Sequence, residues 1–389
     1  MKVAYVSHCN FPNRFAHSIQ IIKNAQAWNI VADEFTLHIN VDAKKYITFD
    51  QDKLNNFYGI KAPFKIKKSP FYFEIEHWLL TKYTKPISSF LRNHYFKQTA
   101  KKLKNSDIDF AYTRTIGFPK HAINSGIPVI LESHSPLGSD IDKQEVHSCI
   151  HHDLFLKIVT ISDQLKQHMI QNGLPESKIL VAPDGADLDA YSDNLSKQEA
   201  RTKLGFPVDG KYALYVGHLY KDRGIQEIMY CAEKLPDVQF IIVGGHPNDI
   251  DYWKEHVTAK NLNNVNIIGF VENRLVPLYQ WMADVLLMPY SKTCGTSEWM
   301  SPLKLFEYMA AGRAIVATHF PVFDEILRDQ ENCQLVEADN AKSLHKGLNA
   351  VLDKPKFMDK IAQQAHQDVQ SYSWTARAQF ILEKSKLEL

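Results

Sequence analysis

The sequence has no surplus of charge of either sign, no paired cysteines and no long apolar run, and each lack removes a class of protein. Lys and Arg number 45 against 44 Asp and Glu, a formal +1. Neutralising a nucleic-acid backbone takes a basic excess that the chain does not have, so no nucleic-acid partner is expected. Cys9, Cys149, Cys231, Cys294 and Cys333 are odd in number and include no C-x-x-C pair, which argues against a disulfide framework or a zinc ribbon and fits a reducing cytoplasm. No apolar stretch reaches the roughly 18 residues that a membrane span needs, and the opening run from Met1 to Val6 passes straight into polar Ser7 and His8, as a first strand does and a leader segment does not. With 45% hydrophobic residues, disorder is excluded as the main state.

What is present is length and rhythm. A chain of 389 residues exceeds the size at which one core usually stops growing, so two domains are expected. Short β-rich runs alternate with helical stretches: residues 3–7 then 18–28, 35–39, 110–112 then 121–125, 129–132, 158–162 then 163–172, and 179–182. That is βαβ rhythm, and it predicts an α/β fold with a parallel sheet. Residues 194–209 read as a polar connector helix. A second strand series follows at 212–217, 240–244, 265–269, 285–288 and 314–317, after which the strands are expected to stop and the tail from 341 to 389 to be helical, interrupted near 371–374. The expected domains are 1–190, joined by a returning helix at 372–389, and 191–371. Ligands of doubly wound sheets sit at the carboxyl ends of the strands, so the interdomain cleft is the expected site.

The stretch from Ser301 to Gly312, SPLKLFEYMAAG, reads as a loop feeding a helix. Pro302 suits the first turn, the free N–H groups near Leu303 and Lys304 could cradle an anion, and Lys304 adds a charge. Glu307 lies one turn on, where a carboxylate could accept both hydroxyls of a ribose. The plainer alternative is an amphipathic helix with a solvated Lys–Glu pair. A second cluster, Gly217-His218-Leu219-Tyr220-Lys221-Asp222-Arg223-Gly224, has the order strand, glycine, cation, helix of a phosphate site, although taken by itself it reads better as a surface loop. Gly244-Gly245-His246 ends another strand and is either a ligand-approach point or a tight turn. Glu132-Ser133-His134 ends a strand in the first half, where the imidazole of His134 could face a sugar or phosphate or be purely structural.

Together these clusters, in this order along the chain, resemble the GT-B glycosyltransferases of family 4, the retaining, nucleotide-sugar-dependent group. The resemblance implies two Rossmann-like doubly wound domains facing across a cleft. It implies transfer of a sugar from a nucleoside diphosphate sugar to an acceptor hydroxyl in glycan or glycolipid assembly, with no cofactor and no metal. It places the donor on Gly217, His218, Arg223, Gly244, Leu303, Lys304 and Glu307, with His134, Arg223, Lys304 and Glu307 carrying the chemistry. The acceptor is then a glycan, a lipid-linked group or a small molecule. Three places depart from the family pattern: Trp299 stands eight residues before Glu307, where a first glutamate is usual, His218 stands where an arginine is usual, and Ala16-His17 stands where the first N-terminal loop usually has a glycine pair. The rival readings are an epimerase or phosphorylase on the same scaffold, and a non-catalytic nucleotide-sugar-binding subunit.

Three Asp-x-Asp pairs (107/109, 140/142 and 249/251) lack a second acidic cluster and are not expected to hold metal. His147, Cys149, His151 and His152 form a transition-metal candidate if His147 and His151 share a helix face, the alternative being solvated or packed side chains. Residues 61–104 hold eleven Lys or Arg against Glu74 and Glu76, a local +9 that leaves −8 elsewhere, interleaved with Phe64, Phe71, Tyr72, Phe73, Trp78, Tyr83, Phe90, Tyr95 and Phe96. Such a segment suits an anionic bilayer or a phosphate-bearing acceptor, which would make the enzyme a cytoplasmic protein peripheral to the inner face of the membrane. Alternatively the segment is a helical face whose aromatics are core and whose lysines are merely solvated.

Overall fold

The computed structural model describes residues 1–9, 11–13, 15–72 and 81–385. The chain divides into two compact units, Met1–Pro183 with Trp374–Leu389, and Asp184–Ser373.

The first unit is a seven-stranded sheet of β1 (Lys2–Ser7), β2 (Glu34–Asp42), β3 (Lys65–Tyr72), β4 (Phe110–Thr113), β5 (Val129–Ser133), β6 (Phe155–Thr160) and β7 (Ile179–Val181), in the order β3-β2-β1-β4-β5-β6-β7. Every pairing is parallel. Strands β4 and β5 are buried along their whole length, because helices cover both faces of a parallel sheet and leave no side for water. Trp28, on the helix Ala16–Val31, packs its ring on Phe110 and Tyr112 at 5.5 and 5.1 Å. The C-terminal helix Trp374–Lys384 lies against that same first helix.

The second unit has six strands, β8 (Lys211–Val216), β9 (Val238–Val243), β10 (Val265–Gly269), β11 (Val285–Met288), β12 (Ala314–Thr318) and β13 (Gln334–Val336), in the order β10-β9-β8-β11-β12-β13. Alternate residues feed two cores. Leu214, Val243, Leu286 and Ile315 enter one cluster, while Ala213, Ile242, Leu287 and Val316 enter the other, as the two-residue period of a strand requires. The strand order reverses between β8 and β11, and a reversal opens a crevice at the carboxyl ends of the two strands.

Four sequence expectations are corrected. Strands do not stop after Ala317: β13 pairs with β12 from Val316↔Gln334 to Thr318↔Val336, in a run too short to stand out as a pattern. The connector helix spans only Lys197–Leu204, between a Ser196–Glu199 capping box and a left-handed Gly205. Lys65–Tyr72, inside the basic segment, is an edge strand, and lysine is a usual guard of such edges. His147 and His151 share no helix face, since the helix Asp140–His147 ends at the first of them.

Candidate functional site

The richest cluster stands at the β8/β11 reversal. The helix Leu303–Ala310 buries Leu305, Phe306, Tyr308 and Met309, so Lys304 and Glu307 share the opposite face. Tyr308 fixes the helix against the sheet by accepting from the Val216 N–H at 2.9 Å and donating to Leu287 O at 3.3 Å. Pro302 lies just outside the helix, with extended backbone (φ −75°, ψ 130°), not within its first turn. The N–H groups of Leu303 and Lys304 therefore stand at the helix start, where a helix leaves its first donors without internal acceptors.

Glycine in this cluster permits close approach; it does not lend free donors. The Gly217 N–H is spent on Val243 O at 2.9 Å and that of Gly244 on Gly269 O at 2.7 Å. What Gly217 provides is room, since a Cβ there (φ +147°) would lie 2.6 Å from Lys304 Nζ. At Gly224 (φ +71°) a Cβ would lie 1.8 Å from the backbone oxygen of Pro289, so no other residue fits without moving the chain.

Lys304 is tucked beneath this loop with its ammonium over the Tyr215 ring at 4.1 Å and the Tyr290 ring at 5.2 Å. Among the described residues no carboxylate pairs with it. Burial, with Arg223 adding like charge against a weaker pull from Glu307, lowers its pKa to about 7, so the empty site does not hold the full charge that the sequence suggests. Arg223 donates through Nη1 to Asp222 Oδ2 at 2.8 Å and to Cys294 Sγ at 2.9 Å, and lies over the Tyr290 ring at 5.1 Å. His218 is stacked at 5.1 Å on His246 and 5.0 Å on Tyr220. Burial, then His246, Lys304 and Arg223, push its pKa down to about 4, so it is a neutral ring at physiological pH. The site thus offers the Arg223 guanidinium, a Lys304 amine that is only partly protonated, and a flat aromatic surface. Glu307, partly buried, and Gly244, beside Gly217, complete the predicted set.

His134 belongs to a separate cluster in the first unit. Its Nε2 meets Glu132 Oε1, which also accepts from Gln20 Nε2 at 2.5 Å. Glu132 is fully buried on β5, and its second oxygen accepts from Asn24 Nδ2 at 2.9 Å, Arg377 Nη1 at 3.2 Å and the Tyr112 hydroxyl. Sequence reasoning named Glu132 only as a polar neighbour of His134 and passed over Gln20, Asn24 and Arg377. Gln20 and Asn24 stand at i and i+4 of the helix Ala16–Val31, but His17, Ser18, Lys23, Gln26 and Asn29 are polar too, so no pattern in the sequence set the pair apart.

Several residues of the sequence's metal candidates have other partners. Asp107 and Asp109 hold Lys2. Asp142 and Ser139 form a capping box, and Asp249 lies in the first turn of the helix Pro247–Ala259. His147 Nε2 sits 3.1 Å from Asn172 O, Cys149 Sγ donates to Glu145 O, and His152 Nδ1 accepts from the Leu154 N–H. Within residues 61–104 the aromatics divide: Phe64, Tyr95 and Phe96 are core, whereas Phe90 is 68% exposed and Ile87 51%. Phe73, Glu74, Glu76 and Trp78 lie outside the described residues. Among the described residues no helix is long and apolar enough to cross a membrane.

Comparison with known proteins gives these clusters a context. Residues 196–368 match the family model of glycosyl transferases group 1. The chain is 27% identical over 240 residues to phosphatidyl-myo-inositol mannosyltransferase of Mycobacterium tuberculosis, covering 59% of each chain. It is 27% identical over 220 residues to D-inositol 3-phosphate glycosyltransferase of Corynebacterium aurimucosum, covering 52% of this chain and 50% of that protein. It therefore aligns with little more than half the length of these curated relatives. The Anabaena protein Alr3699/HepE, solved in complex with UDP, superposes with a TM-score of 0.73 over 98% of this chain and 99% of its own at 16% identity. A glycosyltransferase from Rickettsia africae gives 0.73 over 99% and 98% at 17%. At such identities the likeness speaks for the fold. The match to glycosyl transferases group 1 thus falls within the second unit, and the two Rossmann-like units share the GT-B fold of the solved structures.

Proposed function

We propose that the protein is a retaining glycosyltransferase of the family 4 type, moving a sugar from a nucleoside diphosphate sugar to an acceptor hydroxyl. The observation that carries this reading is the Lys304 ammonium, held without a carboxylate at a helix start, with Arg223 beside it and aromatic faces beneath. A doubly charged diphosphate supplies the counter-charge that the site lacks. As the bond between the anomeric carbon and the diphosphate oxygen breaks, negative charge grows on that oxygen, and preorganised cations and N–H dipoles lower the barrier. The acceptor oxygen bonds to the anomeric carbon on the same face and its proton passes to the departing diphosphate. Glu307 holds the ribose and His134 takes a substrate hydroxyl or phosphate oxygen. In this scheme charge neutralisation belongs to the protein and no metal takes part, so initial rates should be the same with and without EDTA; a rate lost to EDTA and restored by Mg²⁺ or Mn²⁺ contradicts it.

The acceptor we infer is anionic or lipid-linked, at a cytoplasmic membrane face. Two relatives are named for phosphatidyl-myo-inositol and for D-inositol 3-phosphate, and the exposed Phe90 and Ile87 share a helix with Arg92, Lys97 and Lys101. Each lysine or arginine near an anionic surface is worth about 1 kcal/mol. Co-sedimentation with anionic vesicles at low salt should therefore capture the wild type and lose a variant carrying Phe90→Ser with Lys65 and Lys67 changed to Glu. Donor identity is tested by a thermal-shift screen of UDP, GDP, ADP and dTDP sugars, where a ligand at 100 times its dissociation constant adds roughly 2.7 kcal/mol. Release of nucleoside diphosphate on adding acceptor extract separates a transferase from a sugar-binding subunit.

A further inference from the structure

We propose that Glu132 is a positioning residue that fixes the His134 imidazole with a proton on Nε2, and that Arg377 of the C-terminal helix holds Glu132 for that task. The assignment of His134 to substrate rests on the glycosyltransferase reading; the hydrogen-bond logic stands without it.

An ionised carboxylate can only accept, so every polar atom around it must donate. Glu132 receives Gln20, His134, Asn24, Tyr112 and Arg377 and is closed to water. Burial alone would raise its pKa, but Arg377 and then His134 outweigh burial and hold it at about 2. Gln20 Nε2 also lies 2.9 Å from His134 Nε2, which leaves two ways to place the protons. The ambiguity is removed by Arg114, whose Nη1 donates to Gln20 Oε1 and so orients that amide with its NH₂ toward Glu132. Both nitrogens then donate to one carboxylate oxygen and neither accepts from the other. The neutral ring is left with its lone pair on Nδ1, and the imidazolium carries a second N–H there.

Arg377 is itself over-determined. Its Nε donates to Pro183 O at 2.9 Å and its Nη2 to Ala182 O at 3.1 Å, so the guanidinium reaches Glu132 Oε2 from a fixed seat. The helix Trp374–Lys384 therefore contributes to the imidazole site through one side chain and one carboxylate.

The test is a two-bond ¹H–¹⁵N correlation spectrum of histidine-labelled protein, with His134 assigned by its loss in His134→Gln. The wild type should show a protonated Nε2 and a lone-pair Nδ1 above the imidazole midpoint. Glu132→Gln should lose that single tautomer and lower the midpoint by at least about one pH unit. Arg377→Lys should retain the tautomer, and Tyr112→Phe, which removes one donor and no charge, should leave both signals in place. If Glu132→Gln does not fold, as judged by near-ultraviolet dichroism, Glu132→Asp replaces it, since a carboxylate withdrawn by one methylene should also lose the single tautomer. A folded Glu132→Gln or Glu132→Asp protein with unchanged tautomer and midpoint overturns the proposal. If the wild type releases no nucleoside diphosphate, the transferase reading falls while the spectra still decide this one.

Discussion

In the first unit the Glu132 carboxylate receives five donors and has no unmet demand. In the second, the Lys304 ammonium lies over two tyrosine faces and pairs with no carboxylate among the described residues. The Glu132 carboxylate is fully buried and Lys304 is half-buried, and they differ in who supplies the partner. A charge partnered from within its own unit belongs to the architecture, and removing its partner should unfold something. A charge left without one is poised for a ligand, and removing it should cost binding while sparing or even helping the fold. The contrast separates a scaffold network from a binding site more sharply than burial or sequence position does.

The largest effect expected from the contrast is Arg377→Met. It leaves the carboxylate of Glu132 buried beside an apolar chain, which should cost about 3–5 kcal/mol. Urea unfolding should show it, and a loss below 1 kcal/mol would erase the distinction between the two sites. Next come Arg223→Ala and Glu307→Gln, which should weaken nucleoside diphosphate binding roughly 10- to 150-fold, or about 1.5–3 kcal/mol, by calorimetry, in proteins that still fold.

The pH dependence is smaller per step. Lys304 is mostly neutral in the empty site above pH 7, and a bound diphosphate restores its proton. Affinity should therefore fall by up to about tenfold, near 1.4 kcal/mol, for each pH unit between about 8 and 10. Calorimetry in buffers of different ionisation enthalpy should show proton uptake there. Absence of uptake would mean that the ammonium never left its ordinary state. For folding the sign is opposite: the unfolded chain binds the proton more tightly than the folded one between about pH 7 and 10.5, so the empty protein should gain stability from this group as pH rises through that window. The smallest effect is Lys304→Met at pH 6, which removes an unpaired desolvated charge and should raise stability by about 1 kcal/mol even as nucleotide binding is lost.

Much of this was legible beforehand, for reasons that differ by element. β8, β9 and β12 are mainly apolar runs, and the glycines that follow β8 and β9, Gly217 and Gly244, mark the site. The Leu303–Ala310 helix announces itself by alternating buried and polar faces. β3 was hidden because lysine occupies three of its first four positions, and β13 because three residues make no period. The aromatic seat of Lys304 was not readable: Tyr215 and Tyr290 come from strands or loops far apart in sequence, and only the β8/β11 pairing makes them neighbours. Arg377 lies 245 residues from Glu132, a separation that no local pattern spans. The full charge expected at Lys304 failed for a related reason, since desolvation depends on what folds over a residue and not on the residue itself.

The discontinuity of the first unit also orders events in time. On a ribosome, Met1–Pro183 emerges long before Trp374, and the whole of Asp184–Ser373 is synthesised in between. At about 5–20 residues per second those roughly 190 residues take some 10–40 seconds. When that interval ends the second unit has its complete sequence, while the first still has Glu132 without Arg377 and the helix Ala16–Val31 without the helix that covers it. The later-made unit is thus free to finish first, and the earlier-made one must wait, with an apolar helix face and a nascent ionic core exposed, for the last segment to arrive. A nascent chain stalled after residue 373 should accordingly be cut by protease in its first unit and resist cutting in its second.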